Sequence, residues 1–361
     1  MTPVDSSEHR ITAAPPPESP TDFLLVAPLS EERDALLARL PGHRKLPPSE
    51  DDIRVYYAAQ IPAQLADGRP VTYTAVVLPL AGMGHTQAAG ATADAIRRFH
   101  PRYVLLIGIV GGMAKNAVAL GDVLLSDQVV DYELAKVTPD GPSIRWQVHQ
   151  VDQRLLIAAQ NHTVGDLADT AATRPEPGRP RVHIGPVCTG NKVVADDVLA
   201  DQLREVWVKL IGVEMEAGGV ANAVAQSARR PGFFMIRGVS DLADADKDSN
   251  EVKSWRPYAC EIAAAWTIDL LKNGPIPAGA PPPVADDHRQ AISLAKDVAV
   301  RTPAGRPEAV VPHSTAIARW RERLDFLMER EAVVSSPGQQ FELRHQIDEC
   351  RAKLRELGFD P

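Results

Sequence analysis

The chain has 361 residues, 44% of them hydrophobic and 24% charged, with a formal net charge of −8. This composition is typical of a globular protein with length for one large domain or two ordinary ones. The negative balance provides no basic field for nucleic acid or an anionic membrane, so neither is expected as a partner. No apolar run approaches the ~20 residues that span a bilayer.

The three cysteines, Cys188, Cys260 and Cys350, are isolated in the sequence. Their spacing matches neither a disulfide scaffold nor a metal site, which favours a reducing compartment. The N-terminus also lacks the basic-then-apolar order of a signal peptide. We therefore predict a cytoplasmic protein, and we expect no metal and no other cofactor.

Residues 1–20 carry five prolines among small and polar residues and predict a disordered leader. Residues 21–272 alternate short β-rich runs with helical stretches, apart from a polar stretch at 163–180 that we interpret as a loop. The clearest strands are at 23–26, 74–78, 103–107 and 123–125, and helices are expected at about 30–40, 86–98, 196–209, 215–229 and 256–272. This pattern predicts an α/β domain with a central mixed, mostly parallel sheet flanked by helices.

A proline-rich stretch at 273–312 predicts a semi-rigid linker, with a short helical piece near 291–295. Beyond it, apolar residues in 313–361 recur at steps of three and four around a turn at 335–338. That spacing predicts an α-helical hairpin. Because ~45 residues bury little core, the hairpin is expected to pack against something else.

Carboxylates follow two neighbouring strands of the predicted sheet. Glu214 and Glu216 lie in the segment 213–217, and Asp241 ends the apolar strand that begins at Gly232. The carboxyl ends of strands are where α/β sheets build their sites, so the placement indicates chemistry on a centre that becomes electron-poor. Glu214 and Glu216 flank Met215, so we expect one to face a pocket and the other a neighbour or solvent. For Asp241, a helix cap is the alternative.

Three further motifs are ambiguous on local grounds. Glu32 opens the first helix, where an N-cap at Ser30 and the helix dipole would explain an acidic residue without a function. Glycine clusters at 82–84 and 108–112 could leave N–H groups free for a ligand or could be tight turns. The segment 189–191 fits a ligand-facing loop and an ordinary turn equally well.

Together these motifs are more specific than any one of them. In order they are the segments 30–32, 82–84, 108–112, 121–127, 189–191, 213–217 and 240–244. From about Phe23 to Leu271 the sequence resembles the phosphorylase/nucleosidase superfamily, most closely its 5′-methylthioadenosine/S-adenosylhomocysteine nucleosidase branch. The resemblance implies a nucleoside phosphorylase-like fold, a purine nucleoside or nucleotide as ligand, and a homo-oligomer.

The resemblance also implies cleavage of the N-glycosidic bond to a purine, with adenine as the expected base. Asp241 would hold a proton near neutrality and deliver it to the purine, which a dry pocket favours. Glu216 would bind the ribose hydroxyls and stabilise positive charge on the sugar, and Glu32 would deprotonate the attacking water. The further substrate-binding residues that it implies are Met215, Glu214, Val193, Val194, Gly82, Gly111 and Ser240.

Two features bear on the reaction and the substrate. The segment before the glycines at 108–112 lacks the arginine with which phosphorylases hold phosphate, so hydrolysis is favoured over phosphorolysis. A binding module without turnover is a further alternative. Within 132–151, Lys136, Arg145, Trp146 and His149 would suit a phosphorylated 5′ group, or they form a solvated charged loop. The family's usual aromatic residue is replaced by Val193.

The hairpin at 313–361 resembles the small helical effector-associated adaptors of bacterial defence proteins. That resemblance implies a protein partner with a similar hairpin, and a role as an effector in antiviral defence. The alternative is a segment that merely caps the α/β domain or makes it oligomerise.

Overall fold

The computed structural model describes residues 21–277, apart from 51, 139–140, 163–171 and 196, together with residues 279, 347, 351, 354 and 355. The chain divides into two compact units, Met1–Asp286 and Asp287–Pro361. The predicted leader and nearly all of the linker and hairpin lie outside the described residues. The four described residues of the second unit are helical, and Ile347 and Leu354 are buried.

The described part of the first unit contains twelve strands, six α-helices and two short 3₁₀ helices. The strands are β1 (Phe23–Ala27), β2 (Arg44–Lys45), β3 (Tyr57–Gln64), β4 (Pro70–Pro79), β5 (Tyr103–Gly112), β6 (Val123–Asp131), β7 (Ala135–Thr138), β8 (Gly141–Ile144), β9 (Gln147–Gln150), β10 (Val182–Thr189), β11 (Gly212–Glu214) and β12 (Gly232–Asp241). The α-helices are α1 (Ser30–Ala38), α2 (His85–Phe99), α3 (Gln153–Gln160), α4 (Asp197–Val206), α5 (Ala217–Gln226) and α6 (Asn250–Lys272), and the 3₁₀ helices are Ala114–Asn116 and Ala245–Asp248.

Ten strands form one mixed sheet in the order β11-β10-β6-β12-β5-β1-β4-β3-β2, with β9 on β6. The strands β4, β1, β5 and β12 are parallel to one another, and so are β6, β10 and β11. The two groups run in opposite directions where β12 meets β6. The predicted α/β class with a mixed sheet is therefore confirmed, although antiparallel pairs at β2–β3–β4, β9 and β11 make the sheet less parallel than expected.

Five strands of this sheet close into a ring. The pairs are β5–β12, β12–β6, β6–β10, β10–β11 and finally β11–β5, where Val213 lies opposite Gly111. The strand β11 is only three residues long and pairs antiparallel with the last two residues of β5. The closure brings the residues after β11 next to those of β12.

The core lies between the sheet and its helices. All five residues of β1 are buried, as expected for a strand covered on both faces. The helix α6 packs along β12 and contributes Trp266, which is fully buried. It begins at Asn250, six residues before the predicted start, because Ser249 caps it by accepting a hydrogen bond from Val252 N at 3.2 Å. Among the described residues, no helix is both long and apolar enough to cross a bilayer.

Several local expectations are corrected. Gly108–Gly112 is not a turn but the end of β5, since pairing with β12 and β11 continues through it. The N-cap of α1 is Leu29 rather than Ser30. The helix α3 and the hairpins β3–β4 and β7–β8 were not predicted. Of the expected loop at 163–180, only 172–180 is described, and it carries no helix or strand.

Gly238 determines how closely α6 approaches β12, because a methyl group there would overlap the carbonyl oxygen of Ala259. We expect Gly238→Ala to lower the free energy of unfolding by about 1–3 kcal/mol, the usual cost of overpacking a core. Urea denaturation followed by circular dichroism measures the change. The matched control is Gly90→Ala on the exposed face of α2, where the contact is ordinary and alanine should stabilise by about 0.5–1 kcal/mol. Equal stabilities of the two variants would contradict this account.

Candidate active site

A single buried guanidinium joins three carboxylates. Arg237, on β12, is 1% exposed; its Nη2 contacts Glu214 Oε2, and Glu216 Oε2 lies 3.3 Å away. Its Nη1 lies 3.8 Å from Glu32 Oε1. Burial would favour the neutral guanidine, but the three carboxylates outweigh it and raise the pKa of Arg237. The cluster therefore combines three acidic groups with one permanent positive charge.

Glu32 is held by two different parts of the chain. Its Oε2 accepts a hydrogen bond from Leu29 N at 2.6 Å, which closes the first turn of α1. Its Oε1 accepts one from Ile109 N on β5 at 2.7 Å. Burial raises the pKa of Glu32 to about 7, despite the opposing effects of Arg237 and the two N–H groups. A role at the start of α1 therefore does not fully explain Glu32, because its contacts with Ile109 and Arg237 join it to distant parts of the chain.

Gly108 provides the room for this cluster. It lies beside Arg237 in the parallel register of β5 and β12. A Cβ at this position would stand 2.5 Å from Arg237 Nη1 and would overlap Glu32 Oε1. The absence of a side chain at Gly108 therefore allows the charged groups of Glu32 and Arg237 to approach each other.

Glu214 and Glu216 are both buried, and both contact Arg237. We expected one of them to face a pocket and the other a neighbour or solvent, but both share Arg237 as a neighbour. Glu214 also accepts hydrogen bonds from Glu216 N and Ala217 N at 3.0 Å, which closes the turn into α5. Glu216 accepts a longer bond, 3.3 Å, from Gly84 N. Burial, assisted by the charge of Glu214, raises the pKa of Glu216.

Asp241 occupies the end of β12 and is 7% exposed. It accepts hydrogen bonds from Ser240 Oγ at 2.9 Å, from Ala243 N at 3.1 Å and from Lys247 Nζ at 3.0 Å. It does not cap a helix, because Asp244 caps the following 3₁₀ helix. Gly111 packs against its Oδ1, where a Cβ would approach to 3.0 Å.

The start of α2 contacts the segment 189–191. His85 N donates to Asn191 Oδ1 at 2.9 Å, and the His85 ring lies 2.9 Å from Thr189 Oγ1 and 3.5 Å from Asp131. Thr189 also accepts a hydrogen bond from Gly218 N at 3.2 Å. The segment 189–191 therefore joins the amino ends of α2 and α5.

The other expected site residues differ in exposure. Gly82 and Met215 are half-buried, Ser240 and Val194 are buried, and Val193 is 56% exposed. The described residues thus place Glu32, Glu214 and Glu216 in one cluster through Arg237. Asp241 and Ser240 lie at the end of the strand that carries Arg237.

The four side chains expected to suit a 5′ phosphate, Lys136, Arg145, Trp146 and His149, differ in exposure. Lys136 and Arg145 are exposed. Trp146 is half-buried and packs edge-on against Trp207, with ring centroids 6.2 Å apart. His149 is also half-buried, and burial lowers its pKa. Two of the four side chains are thus free to face solvent or a ligand.

Sequence reasoning assigned no role to Arg237, Lys247 or His85. A signal existed for Arg237, since it interrupts the apolar strand Gly232–Asp241, and a charge in a buried strand requires a partner. No comparable pattern marks Lys247 or His85. Within the described ranges, no three His, Cys, Asp or Glu side chains are grouped so that they could hold a metal ion.

Comparison with known proteins agrees with this architecture. The family model for the phosphorylase superfamily matches residues 37–272. A 5′-methylthioadenosine/S-adenosylhomocysteine nucleosidase of Marinomonas sp. is 30% identical over 197 residues, which cover 55% of this chain and 80% of that protein. The ATP nucleosidase Cap17 of Escherichia coli is 28% identical over 237 residues, 58% of this chain but 43% of its own length.

Among solved structures, the 5′-methylthioadenosine/S-adenosylhomocysteine nucleosidase of Neisseria meningitidis, in complex with methylthio-immucillin-A, superposes with a TM-score of 0.53 at 22% identity. The match covers 70% of this chain and 99% of that one, and at this identity it shows a shared fold. The family model spans well over half of the chain. This chain therefore belongs to the phosphorylase superfamily.

Proposed function

We propose that this protein hydrolyses the N-glycosidic bond of a purine nucleoside or nucleotide and releases the free base, with adenine as the favoured base. The observation that carries the proposal is the buried cluster of Glu32, Glu214 and Glu216 around Arg237, with Asp241 at the end of the same strand. Membership of the phosphorylase superfamily and the nucleosidases among the relatives support it.

The cluster suits a sugar that becomes positively charged. As the bond from C1′ to N9 breaks, its electron pair leaves with the purine and positive charge develops on the ribose. Three buried acidic groups are held around one guanidinium, and they need not reorganise when the cation forms. We assign Glu216 to the ribose hydroxyls, because Glu214 is occupied by the turn into α5 and supports it from behind.

Glu32 is the proposed base that removes a proton from the attacking water. A carboxylate with its pKa raised to about 7 is better matched to this task near neutrality than an ordinary one. The hydrogen bonds from Leu29 N and Ile109 N fix its orientation. The water oxygen then bonds to C1′, and the proton stays on Glu32 until the ribose leaves.

Asp241 is the proposed acid that protonates N7 of the purine. Ser240 and Gly111 border it, and Val193, Val194, Met215 and Gly82 are the further residues proposed to contact base or sugar.

Phosphorolysis is the second candidate reaction. It is disfavoured because Arg237, the buried arginine of this site, is already engaged by the three carboxylates.

Residues 132–151 bear on the 5′ group of the substrate. The two relatives are named for methylthioadenosine/S-adenosylhomocysteine and for ATP. We propose that residues 132–151 border the 5′ group, and that the exposed Lys136 and Arg145 suit a phosphorylated one. A nucleotide is thus the proposed substrate.

Chromatography of a nucleoside and nucleotide panel, with and without phosphate, tests the reaction. We expect adenine release without phosphate, and a loss of about 100-fold or more in Asp241→Asn and Glu216→Ala, the usual scale for a general acid or a charge-stabilising group. Asp246→Asn, on an exposed aspartate nearby, is the matched control. Strict phosphate dependence would mean phosphorolysis, and faster release from methylthioadenosine than from nucleotides would exclude the nucleotide preference. Binding without release in the unmodified protein would mean a sensing module.

The pH dependence tests the role of Glu32. Because the base must be ionised, kcat/KM should rise with pH through an apparent pKa of about 7, instead of near the ordinary value of 4.5. Stopped assays from pH 5 to 9 measure the profile. The residual activity of Asp241→Asn should keep this acidic limb, whereas Glu32→Gln should lose activity throughout. An acidic limb near 4.5 would contradict the assignment.

We further propose that 21–272 is the catalytic domain, that it forms a homo-oligomer, and that 273–312 links it to the adaptor hairpin 313–361. The hairpin would recruit this enzyme as an effector in bacterial antiviral defence. Pull-down with the full chain from its native host, compared with a chain ending at residue 272, should recover a partner carrying a similar hairpin only with the full chain. Recovery of no such partner would count against recruitment, and size-exclusion chromatography reports the oligomer.

A further inference from the structure

Lys247 reaches the proposed acid from outside the cluster of carboxylates. It lies on the 3₁₀ helix Ala245–Asp248, and its Nζ is 3.0 Å from Asp241 Oδ1. The side chain is 26% exposed, compared with 10% for that of Asp241. Lys247 therefore connects a buried carboxylate to solvent.

The turn that carries Lys247 is anchored at both ends. Asp244 caps it by accepting a hydrogen bond from Asp246 N at 3.1 Å, and Lys247 N donates to Asp244 O at 3.3 Å. The next residue but one, Ser249, caps α6. The backbone on both sides of Lys247 is thus held by hydrogen bonds.

The ion pair changes where the catalytic proton is stored. A carboxylic acid that acts alone must hold its proton before the substrate arrives. In an ammonium–carboxylate pair, the mobile proton rests on the lysine nitrogen, and the carboxylate passes it on when a base approaches. Lys247 Nζ donates to Oδ1 of Asp241, the oxygen that would receive the proton, while Oδ2 accepts a hydrogen bond from Ser240 Oγ.

We propose that Lys247 is a positioning residue that supplies the leaving-group proton through Asp241; the proposal rests on the hydrolytic function above. As the bond from C1′ to N9 breaks, Asp241 takes a proton from the Lys247 ammonium and passes it to N7. The purine leaves neutral, Asp241 is again a carboxylate once the transfer is complete, and the neutral lysine regains its proton from water. No oxidant, metal or further reactant is needed.

Two substrates separate this role from a structural one. Adenosine needs a proton on its leaving group, whereas 4-nitrophenyl β-D-riboside releases a phenolate that needs none. For Lys247→Gln we expect kcat on adenosine to fall about 100-fold with little change in KM, and the rate on the phenyl riboside to stay within about threefold. If adenosine proves a poor substrate, the nucleotide most active in the panel replaces it.

Lys247→Arg is the second variant. Arginine keeps the charge and the hydrogen bond to Asp241 but does not give up a proton, so it should lose activity on the purine substrate as Lys247→Gln does. Full activity of the arginine variant would overturn the proposal, because pairing alone would then suffice. Because Lys247→Arg keeps the ion pair with Asp241, a loss of activity in this variant is not explained by loss of the fold. Lys272→Gln, on an exposed lysine of α6, is the control expected to behave as the unmodified protein.

Asp241→Asn distinguishes the two levels of the argument. If it loses activity on the purine substrate alone while Lys247→Gln is unaffected, the hydrolytic function stands and the role of Lys247 is wrong. If Asp241→Asn is fully active, the assignment of the acid itself fails. Parallel losses in Asp241→Asn and both lysine variants, with the phenyl riboside spared, would support the complete proposal.

Discussion

The contact of Arg237 with Glu32, Glu214 and Glu216 is the constraint on which the rest of this structure depends. Four charged groups buried together are tolerated only when they are paired and hydrogen-bonded, since each alone would cost several kcal/mol. The partners come from α1, β11, the turn into α5, and β12, so the cluster joins elements that are far apart in the chain. The same contact gathers three acidic groups in one place, which is the basis of the proposed stabilisation of a cationic transition state.

Residues without reactive side chains make the packing of this cluster possible. Gly108 leaves the space in which Glu32 and Arg237 meet, and Gly238 lets α6 approach β12. The short strand β11 closes the ring of strands against β5, so that Glu214 and Glu216 arrive beside Arg237. Small residues and a three-residue strand thus determine where the charges lie.

The two ends of the site differ in electrostatics. The proposed sugar end is rich in carboxylates whose pKa values burial raises, as at Glu32 and Glu216. At the proposed base end, Asp241 is paired with Lys247, so that end is close to neutral. In the proposed mechanism the acidic sugar end stabilises the cation, while Asp241 and Lys247 supply a proton to the purine. One sheet edge can therefore hold a base and an acid, because their surroundings differ.

The sequence by itself determined the α/β class, the main strands and helices of 21–272 and the carboxylates at strand ends, because these follow from hydrophobic periodicity and local order. It could also have revealed Arg237, as a charge inside an apolar strand, and α3, since Asp152 is a good cap for it. Only the tertiary structure decided that Gly108 lies beside Arg237, that Glu214 and Glu216 share one guanidinium, and that Lys247 pairs with Asp241. The reason is physical, because strand register and ring closure join residues that are distant in the chain. Lys247 and Asp241 are close in the chain, but no local pattern distinguishes a lysine that faces solvent from one that is turned toward a buried carboxylate.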